Sequence, residues 1–174
     1  MVLESYAGCS GRTLLIHPLL PAMTITLRAT ATNNAECAKV LAAAFAKNGI
    51  AVIADGDKFA LVVPKSYVSS VHARSAEIKP TPDDADVKNT IPAGAVVFIN
   101  LDFAQVAVFY ADWRGRKASF SDWRMPSPLI SFKNQTALTK SELIYALDTL
   151  FEWNGVKLVP DGDKFLKPVP FRLK

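Results

Sequence analysis

The sequence predicts an α+β fold built from one small module that occurs twice in tandem. Residues 31–64 and residues 137–170 align at a constant offset of 106 and share 13 of 34 positions. Both stretches open with helix-start signals and close with two short apolar runs around an Asp-Gly pair. Five consecutive identical residues that keep register with an upstream Asn-Gly pair rarely arise by chance. We therefore interpret the alignment as a duplicated structural module.

Helix-start signals stand at the same position of both copies. Asn33 precedes Glu36 by three residues, as Thr139 precedes Glu142. In such a capping box the first side chain accepts from an N–H near the helix start, which stabilises the helix by about 1 kcal/mol, and the Glu reaches back. Apolar residues then recur at helical spacing: Cys37, Leu41, Ala44 and Phe45 in the first copy, and Leu143, Leu147, Leu150 and Phe151 in the second.

Each of these helices is predicted to end at the glycine of an Asn-Gly pair, Gly49 or Gly155, because glycine adopts the left-handed conformation cheaply. A β-hairpin is expected next, since Asp-Gly pairs suit tight turns with positive φ. The turn residues are Asp55 and Gly56 in the first copy and Asp161 and Gly162 in the second. The expected strands are residues 50–54 with 58–63 and residues 156–160 with 164–169.

The match continues upstream at an offset of 104 and predicts an earlier helix in each copy, around Tyr6 and Tyr110. In the second copy Asp102 and Gln105 form a further capping-box signal. Two strands are expected between the helices of each copy. They lie at residues 13–16 and 23–28 in the first copy and at residues 117–120 and 129–133 in the second.

A buried strand at residues 96–101 precedes the first helix in the second copy only. The complete module is thus β-α-β-β-α followed by a β-hairpin, with two helices on one face of a small mixed sheet. The first module lacks its first strand. We expect this to leave an open sheet edge, or a vacancy that another segment or chain fills, and we predict edge pairing between chains.

The pattern divides the chain into a first module (residues 1–64), a connector (65–93) and a second module (94–174). The connector shows weak helical spacing over residues 66–78. Residues 79–94 are rich in Pro and Asp, and they predict a solvated linker without regular structure.

Composition limits the function classes. The 174 residues carry a net charge of +4, which is compatible with an acidic partner and does not demand nucleic acid. The sequence contains no run of about 18 apolar residues, so it predicts no membrane span. The first residues, MVLESYAG, lack the basic segment of a signal peptide, so we expect any export signal to lie outside this chain.

The two cysteines, Cys9 and Cys37, align with Trp113 and Leu143 of the second copy. Both positions therefore indicate core sites filled by a small hydrophobic residue. A disulfide between them requires the two helices of the first copy to pack together, and the sequence leaves that pairing open.

Motifs for phosphate binding, a nucleophile elbow, a zinc protease and a redox Cys pair are absent from the sequence. His17 lies at a strand end and His72 in the connector, and both are interpreted as structural. The acidic run at residues 83–86 begins like a calcium loop, but Lys88 and Asn89 stand where a ligand and a glycine are needed. The paired Asp residues around each turn repeat in both copies, which favours turn chemistry over catalysis. We expect no metal, no cofactor and no enzyme; an enzyme would need a pocket lined by convergent titratable groups.

Residues 8–11 spell G-x-x-G, and the β-α-β-β-α order resembles that of a KH domain, whose G-x-x-G loop clamps a nucleic-acid backbone. A KH-like nucleic-acid-binding protein is therefore the alternative function. Against it, the second copy has Asp112 in place of the first glycine, and no base-stacking aromatic residues flank the loop of the first copy.

A set of ordered motifs suggests a family. In the second copy these are FINLDF (98–103), YADWRGR (110–116), the strand around Ile130 and Phe132, and WNGVKLVPDGD (153–163). In the first copy they are LESYAGCSGRT (3–13) and PAMTITL (21–27). In this order the chain resembles the KH-like N-terminal repeats of bacterial secretins, the outer-membrane channel subunits of type II secretion and type IV pilus systems. The resemblance covers nearly all of the chain except residues 65–93.

The resemblance implies a non-enzymatic scaffold in the periplasm, part of an outer-membrane-associated secretin. Modules of this family pack side by side in an oligomeric ring through which cargo or a pilus passes. The implied partners are neighbouring copies of the chain and other envelope components, with no nucleic acid and no membrane span in this chain. Helix faces and sheet edges suit such heterologous contacts, which close into a ring when the rotation allows. We expect the isolated chain to be a monomer or dimer in solution.

Overall fold

The computed structural model describes residues 2–22, 24–28 and 30–172, and it confirms the predicted α+β class. The helices and strands, in chain order, are α1 (Val2–Ser10), β1 (Thr13–Ile16), α2 (Asn34–Lys47), β2 (Ile50–Asp55), β3 (Phe59–Pro64), β4 (Val97–Asp102), α3 (Phe103–Trp113), β5 (Lys117–Ala118), β6 (Leu129–Lys133), α4 (Lys140–Trp153), β7 (Val156–Asp161) and β8 (Phe165–Pro170). Four short 3₁₀ turns lie in the connector, at Lys65–Ser70, Ser75–Glu77, Pro82–Ala85 and Val87–Asn89.

The two copies share one topology. In the first copy β3 lies between β1, to which it is parallel, and β2, to which it is antiparallel. In the second copy β8 lies between β5 and β7 in the same way. The register also corresponds, because Thr13 pairs with Phe59 as Lys117 pairs with Phe165. The duplication in the sequence is therefore a duplication of the order α-β-α-β-β.

The second copy does not form the single sheet that the sequence predicts. Strands β4 and β6 form a separate antiparallel ribbon, whose register shifts between Phe98 and Leu101. Asn100, inside that irregularity, has a φ of 50°. A bulge of this kind bends and twists the strand that carries it, which turns the ribbon away from the other three strands.

The strand predicted at residues 23–28 is not formed. Residues 24–28 are irregular, and Met23 lies outside the described residues. The counterpart of this segment is β6, which is held in place by hydrogen bonds to β4. Among the described residues no strand precedes α1, so the first copy offers residues 24–28 no equivalent of β4.

The end of the connector is mostly exposed, as expected of a solvated linker, but it has local structure that the sequence did not predict. Thr81 and Asp84 form a capping box around a 3₁₀ turn. The Asp84 carboxylate also accepts hydrogen bonds from the backbone N–H (3.1 Å) and hydroxyl (2.6 Å) of Ser141, at the start of α4. Burial alone raises the pKa of Asp84, but the bonds from Ser141 and Thr81 outweigh it and hold this pKa far below its usual value. Further along, Ile91 forms an isolated bridge with Leu138. The second copy therefore anchors the connector.

The helix starts differ in detail. Thr139 and Glu142 form the reciprocal capping box of α4, with bonds of 3.2 and 2.7 Å. Asn33 accepts from the N–H of Glu36 at 2.9 Å, but the Glu36 carboxylate bonds to the N–H and hydroxyl of Thr32 instead of reaching Asn33. At α3, Asp102 accepts from the N–H of Ala104 and from the hydroxyl of Ser127 rather than pairing with Gln105.

The sheet of the first copy is buried on both faces. Ala60 and Val62 of β3 pack in a cluster with α1 and α2, whereas Phe59, Leu61 and Val63 belong to the cluster that contains α3 and α4. All five residues are at most 1% exposed. A strand buried on both faces reads as a continuous apolar run, as FALVV does here. The second copy therefore covers the face of the first sheet that its own helices leave open.

Helices α1 and α2 pack against each other and are joined by a disulfide. The bond links Cys9 and Cys37, whose Cα atoms are 5.9 Å apart. The equivalent residues of the second copy, Trp113 and Leu143, fill their positions with larger apolar side chains.

Candidate functional site

The two copies meet where α4 of the second copy lies on the sheet of the first. We call this interface, around Phe59, Asp55 and Tyr145, the junction. The Tyr145 ring meets the Phe59 ring edge-on, with centroids 5.4 Å apart. One turn earlier on α4, the Glu142 carboxylate pairs with Lys58 at 2.7 Å. Residues three apart lie on one face of a helix, so α4 presents both side chains to the first copy together.

Asp55, at the end of β2, is the polar centre of the junction. It is 1% exposed, and its carboxylate accepts from the backbone N–H of Ser75 at 2.7 Å and from the hydroxyl of Tyr145. Burial, together with the bond to Asp55, raises the pKa of Tyr145. The equivalent Asp161 of the second copy is exposed and pairs with Lys167 at 3.1 Å. Turn chemistry alone therefore does not describe Asp55, which joins the first copy, the connector and α4.

A second polar contact ties the edge of β1 to the loop that follows β6. The hydroxyl oxygen of Thr13 accepts from the N–H groups of Gln135 and Thr136, each at 3.1 Å. The N–H of Leu14 donates to the side-chain oxygen of Gln135 at 3.0 Å. Because Thr13 is fully buried, these bonds satisfy polar groups that would otherwise be costly to bury.

His17, interpreted from sequence as structural, lies at the same junction. Its ring is 4.7 Å from that of Tyr67 in the connector and 5.2 Å from that of Trp153 on α4. Its Nδ1 accepts from the N–H of Leu19 at 3.2 Å, so the neutral ring carries its proton on Nε2. That nitrogen is buried and has no hydrogen-bond partner among the described residues. Burial lowers the pKa of His17 and favours the neutral ring.

A groove of about 550 Å³ runs between the connector, α3 and α4. On its wall the Glu152 carboxylate lies between Arg74 (2.7 Å) and Lys157 (3.3 Å). Asp148 accepts from the Tyr110 hydroxyl at 2.7 Å, and burial raises the pKa of both groups. Glu152 and Asp148, the two acidic side chains of α4 in this groove, thus have partners within the protein.

The ten residues that the sequence singled out fall into separate places. Gly49 and Gly155 end α2 and α4 with φ of 75° and 77°. Asn33 and Glu36 lie at the exposed start of α2, away from the junction. At the junction Asp55 bonds to Tyr145 of α4, and Glu142 pairs with Lys58 of the first copy. Gly56 follows Asp55 in the hairpin turn, and Thr139 caps the start of α4. The turn residues Asp161 and Gly162 are exposed at the far end of the second copy.

Both hairpin turns are held by an equivalent arginine. Arg12 donates to the carbonyls of Gly56 and Phe59, and Arg116 donates to those of Gly162 and Phe165. The duplicated Gly-Arg pair in the sequence therefore has a structural role in each copy.

Sequence reasoning missed the junction residues Ser75, Tyr145, Arg74 and Glu152. A signal for α4 was present, because the two copies differ sharply at the same helix positions. Tyr145 stands where the first copy has Lys39, and Glu152 where it has Ala46. Divergence between otherwise matching repeats marks the helix face that contacts a neighbour.

The G-x-x-G residues that suggested a nucleic-acid clamp lie at the end of α1. Gly8, Cys9 and Ser10 are helical, Gly11 ends the helix with a φ of 64°, and Cys9 is bonded to Cys37. In the described part of the chain, no group of three or more His, Cys, Asp or Glu residues is placed to hold a metal ion.

In residues 2–22, 24–28 and 30–172 no helix has the length and apolar character needed to cross a membrane. Comparisons with known proteins add no relative, since neither the family models nor the curated proteins match this chain.

Proposed function

We propose that the chain is a non-enzymatic scaffold of the secretin type, acting by contacts between modules in the periplasm of a bacterial secretion or type IV pilus system. The observation that carries the proposal is the docking of α4 on the sheet of the first copy. There one module serves as the receptor for the next, through an aromatic pair, an ion pair and the buried Asp55 carboxylate. Such heterologous contacts between like modules are the kind from which rings are built.

The disulfide supports an oxidising location. Cys9 and Cys37 are the only cysteines of the chain, and they are bonded to each other. Structural disulfides persist in the periplasm and in secreted proteins, whereas cytosolic thiols are usually kept reduced. The pairing therefore favours the periplasm over the cytoplasmic location of the alternative, a KH-like nucleic-acid-binding protein.

Photo-crosslinking in bacteria that export the protein tests the proposal. A benzophenone side chain replaces Val108 on α3, which is 46% exposed and sits on a helix face available to a neighbour. We expect covalent adducts at successive multiples of the protein's own mass. The matched control places the same group at the buried Val106, which is 0% exposed and should give no intermolecular adducts. Crosslinks only to unrelated proteins, or none, would contradict the ring.

Titration with RNA and DNA at two salt concentrations tests the alternative. A scaffold should give flat titrations. A nucleic-acid-binding protein should bind with an affinity that falls steeply as salt rises, because phosphate contacts release counterions.

A further inference from the structure

The second copy presents to solvent the sheet face that the first copy uses to hold α4. Part of the apolar character of that face is retained, since Phe165 stands in place of Phe59 and Val159 in place of Ile53. Phe59 is 1% exposed beneath Tyr145, whereas Phe165 is 41% exposed. The turn lysine is retained as well, because Lys164 matches Lys58, the partner of Glu142.

The two faces differ in charge. Lys157 replaces Ala51 and Lys167 replaces Leu61, and Lys117 pairs with Phe165 where Thr13 pairs with Phe59. Two of these lysines already meet carboxylates, Lys167 with Asp161 at 3.1 Å and Lys157 with Glu152 at 3.3 Å. The outer face of the second sheet therefore combines an exposed aromatic ring with lysines on all three strands, of which Lys167 lies on the central strand β8.

The charges select the occupant. If a second copy of this chain docked by the same mode, its α2 would take the place of α4. Glu36 keeps the place of Glu142, but at the positions of Tyr145 and Trp153 α2 carries Lys39 and Lys47, both exposed. Lysines would then face lysines, and like charges brought together at an interface suppress binding, so contacts between copies in the proposed ring use other faces. The complementary occupant is a helix with acidic flanks from another protein.

We propose that the outer face of the sheet formed by β5, β8 and β7 binds an acidic amphipathic helix of a partner protein, in the manner in which α4 lies on the first sheet. An aromatic or aliphatic residue of the helix covers Phe165 as Tyr145 covers Phe59, and a glutamate meets Lys164 as Glu142 meets Lys58. In recognition of this kind the helix binds through side chains at helical spacing along one face. The inference deepens the proposed scaffold role by naming a partner class and rests on that role for its biological meaning.

A peptide titration followed by NMR tests the inference on the intact chain. The probe is a helical peptide of about 18 residues, or about five turns. It carries Tyr and Leu along one face and Glu along both flanks. The expected result is a saturable change in the amide signals of β5, β7 and β8. The same peptide with Lys in place of Glu should bind at least about tenfold more weakly, a difference of ~1.4 kcal/mol.

Two protein variants sharpen the test. Lys167→Glu should weaken binding of the acidic peptide about tenfold, and Phe165→Ala should also weaken it, because the exposed ring is the apolar anchor. Lys88→Glu changes charge equally at an exposed connector position and should leave the affinity unchanged. NMR spectra of the free Lys167→Glu and Phe165→Ala variants are compared with that of the parent to check that both variants still fold.

The inference is overturned if no signals shift, if the shifts map to the groove near Arg74 and Asp148, or if the basic peptide binds equally well. Crosslinking between chains is measured separately. A failed titration with intact ring crosslinks removes only this partner, whereas absent crosslinks remove the scaffold proposal itself.

Discussion

The hydroxyl of Tyr145, on α4 of the second copy, donates a hydrogen bond to the buried carboxylate of Asp55, at the hairpin turn of the first copy. The same carboxylate accepts from the N–H of Ser75 in the connector. Three segments that are far apart in sequence thus converge on one acceptor. A buried carboxylate is tolerated only when hydrogen bonds satisfy it, so the position of α4 on the first sheet is specified by this contact as well as by apolar packing.

Removing the Tyr145 hydroxyl should weaken the junction. We expect Tyr145→Phe to lower the free energy of unfolding by about 2 kcal/mol, because a hydrogen bond to a buried charged acceptor is lost. Urea denaturation followed by tryptophan fluorescence measures the change. Asp161→Asn is the control, since it alters the equivalent exposed aspartate and its surface ion pair, and should cost less than about 1 kcal/mol. Equal costs for the two variants would show that the bond between Tyr145 and Asp55 does not stabilise the junction.

The two turn glycines should differ in their tolerance of a side chain. Gly56 and Gly162 have φ of 61° and 65°, and an L-residue in this conformation costs about 1–2 kcal/mol. At Gly56 a Cβ would also overlap the hydroxyl oxygen of Ser75, whereas at Gly162 it meets open space. We expect Gly162→Ala to show the conformational cost alone and Gly56→Ala to cost more. Thermal melts measure both, and a smaller loss for Gly56→Ala would refute the packing argument.

Breaking the disulfide should destabilise the first copy. The bond closes a loop with a sequence separation of 28 residues, and such a cross-link stabilises by about 3 kcal/mol by restricting the unfolded chain. We expect a Cys9→Ala, Cys37→Ala variant to lose about that much. Hydrogen exchange should rise first in α1 and α2, whereas α3 and α4, with Trp113 and Leu143 at the same positions, act as the internal control. Uniform loss of protection would contradict this local effect.

Acid should loosen the junction through His17. Burial lowers the pKa of His17 in the folded state below its usual value of about 6.5, so between the two pKa values the unfolded state binds more protons. The contribution of His17 to stability is therefore complete above pH ~6.5 and falls as the pH drops below it. A His17→Asn variant, which can still accept from the N–H of Leu19, should lose less stability on acidification than the parent. Parallel pH profiles of unfolding free energy would exclude the effect.

The local chemistry of the repeat explains how much of the fold was predictable. The caps at Asn33 and Thr139, the stops at Gly49 and Gly155 and the two Asp-Gly hairpins depend on residues within a few positions of each other. Their conformational preferences act before any tertiary contact exists. The α+β class followed from these signals in order.

The errors in prediction share one physical cause, which is that strands and turns depend on partners distant in sequence. Residues 24–28 alternate as a strand should, yet they have no equivalent of β4 among the described residues, whereas β6 does. The linker around Asp84 was predicted to lack regular structure, yet the Asp84 carboxylate accepts hydrogen bonds from Ser141 of α4. The local sequence pattern cannot predict either result, because both depend on residues distant in sequence.

The amino-acid sequence by itself determined that one helix-and-hairpin unit occurs twice, because period, caps and turn glycines are local properties of the chain. Only the tertiary structure decided that the sheets of the two copies differ in how much of their surface is buried. In the first copy both faces of the sheet are buried, whereas in the second copy one face, around Phe165 and Lys167, remains open. The physical reason is that a sheet face is buried only if another element packs on it. Helix α4 lies between the inner face of its own sheet and the sheet of the first copy, and no described element covers the outer face of the second sheet.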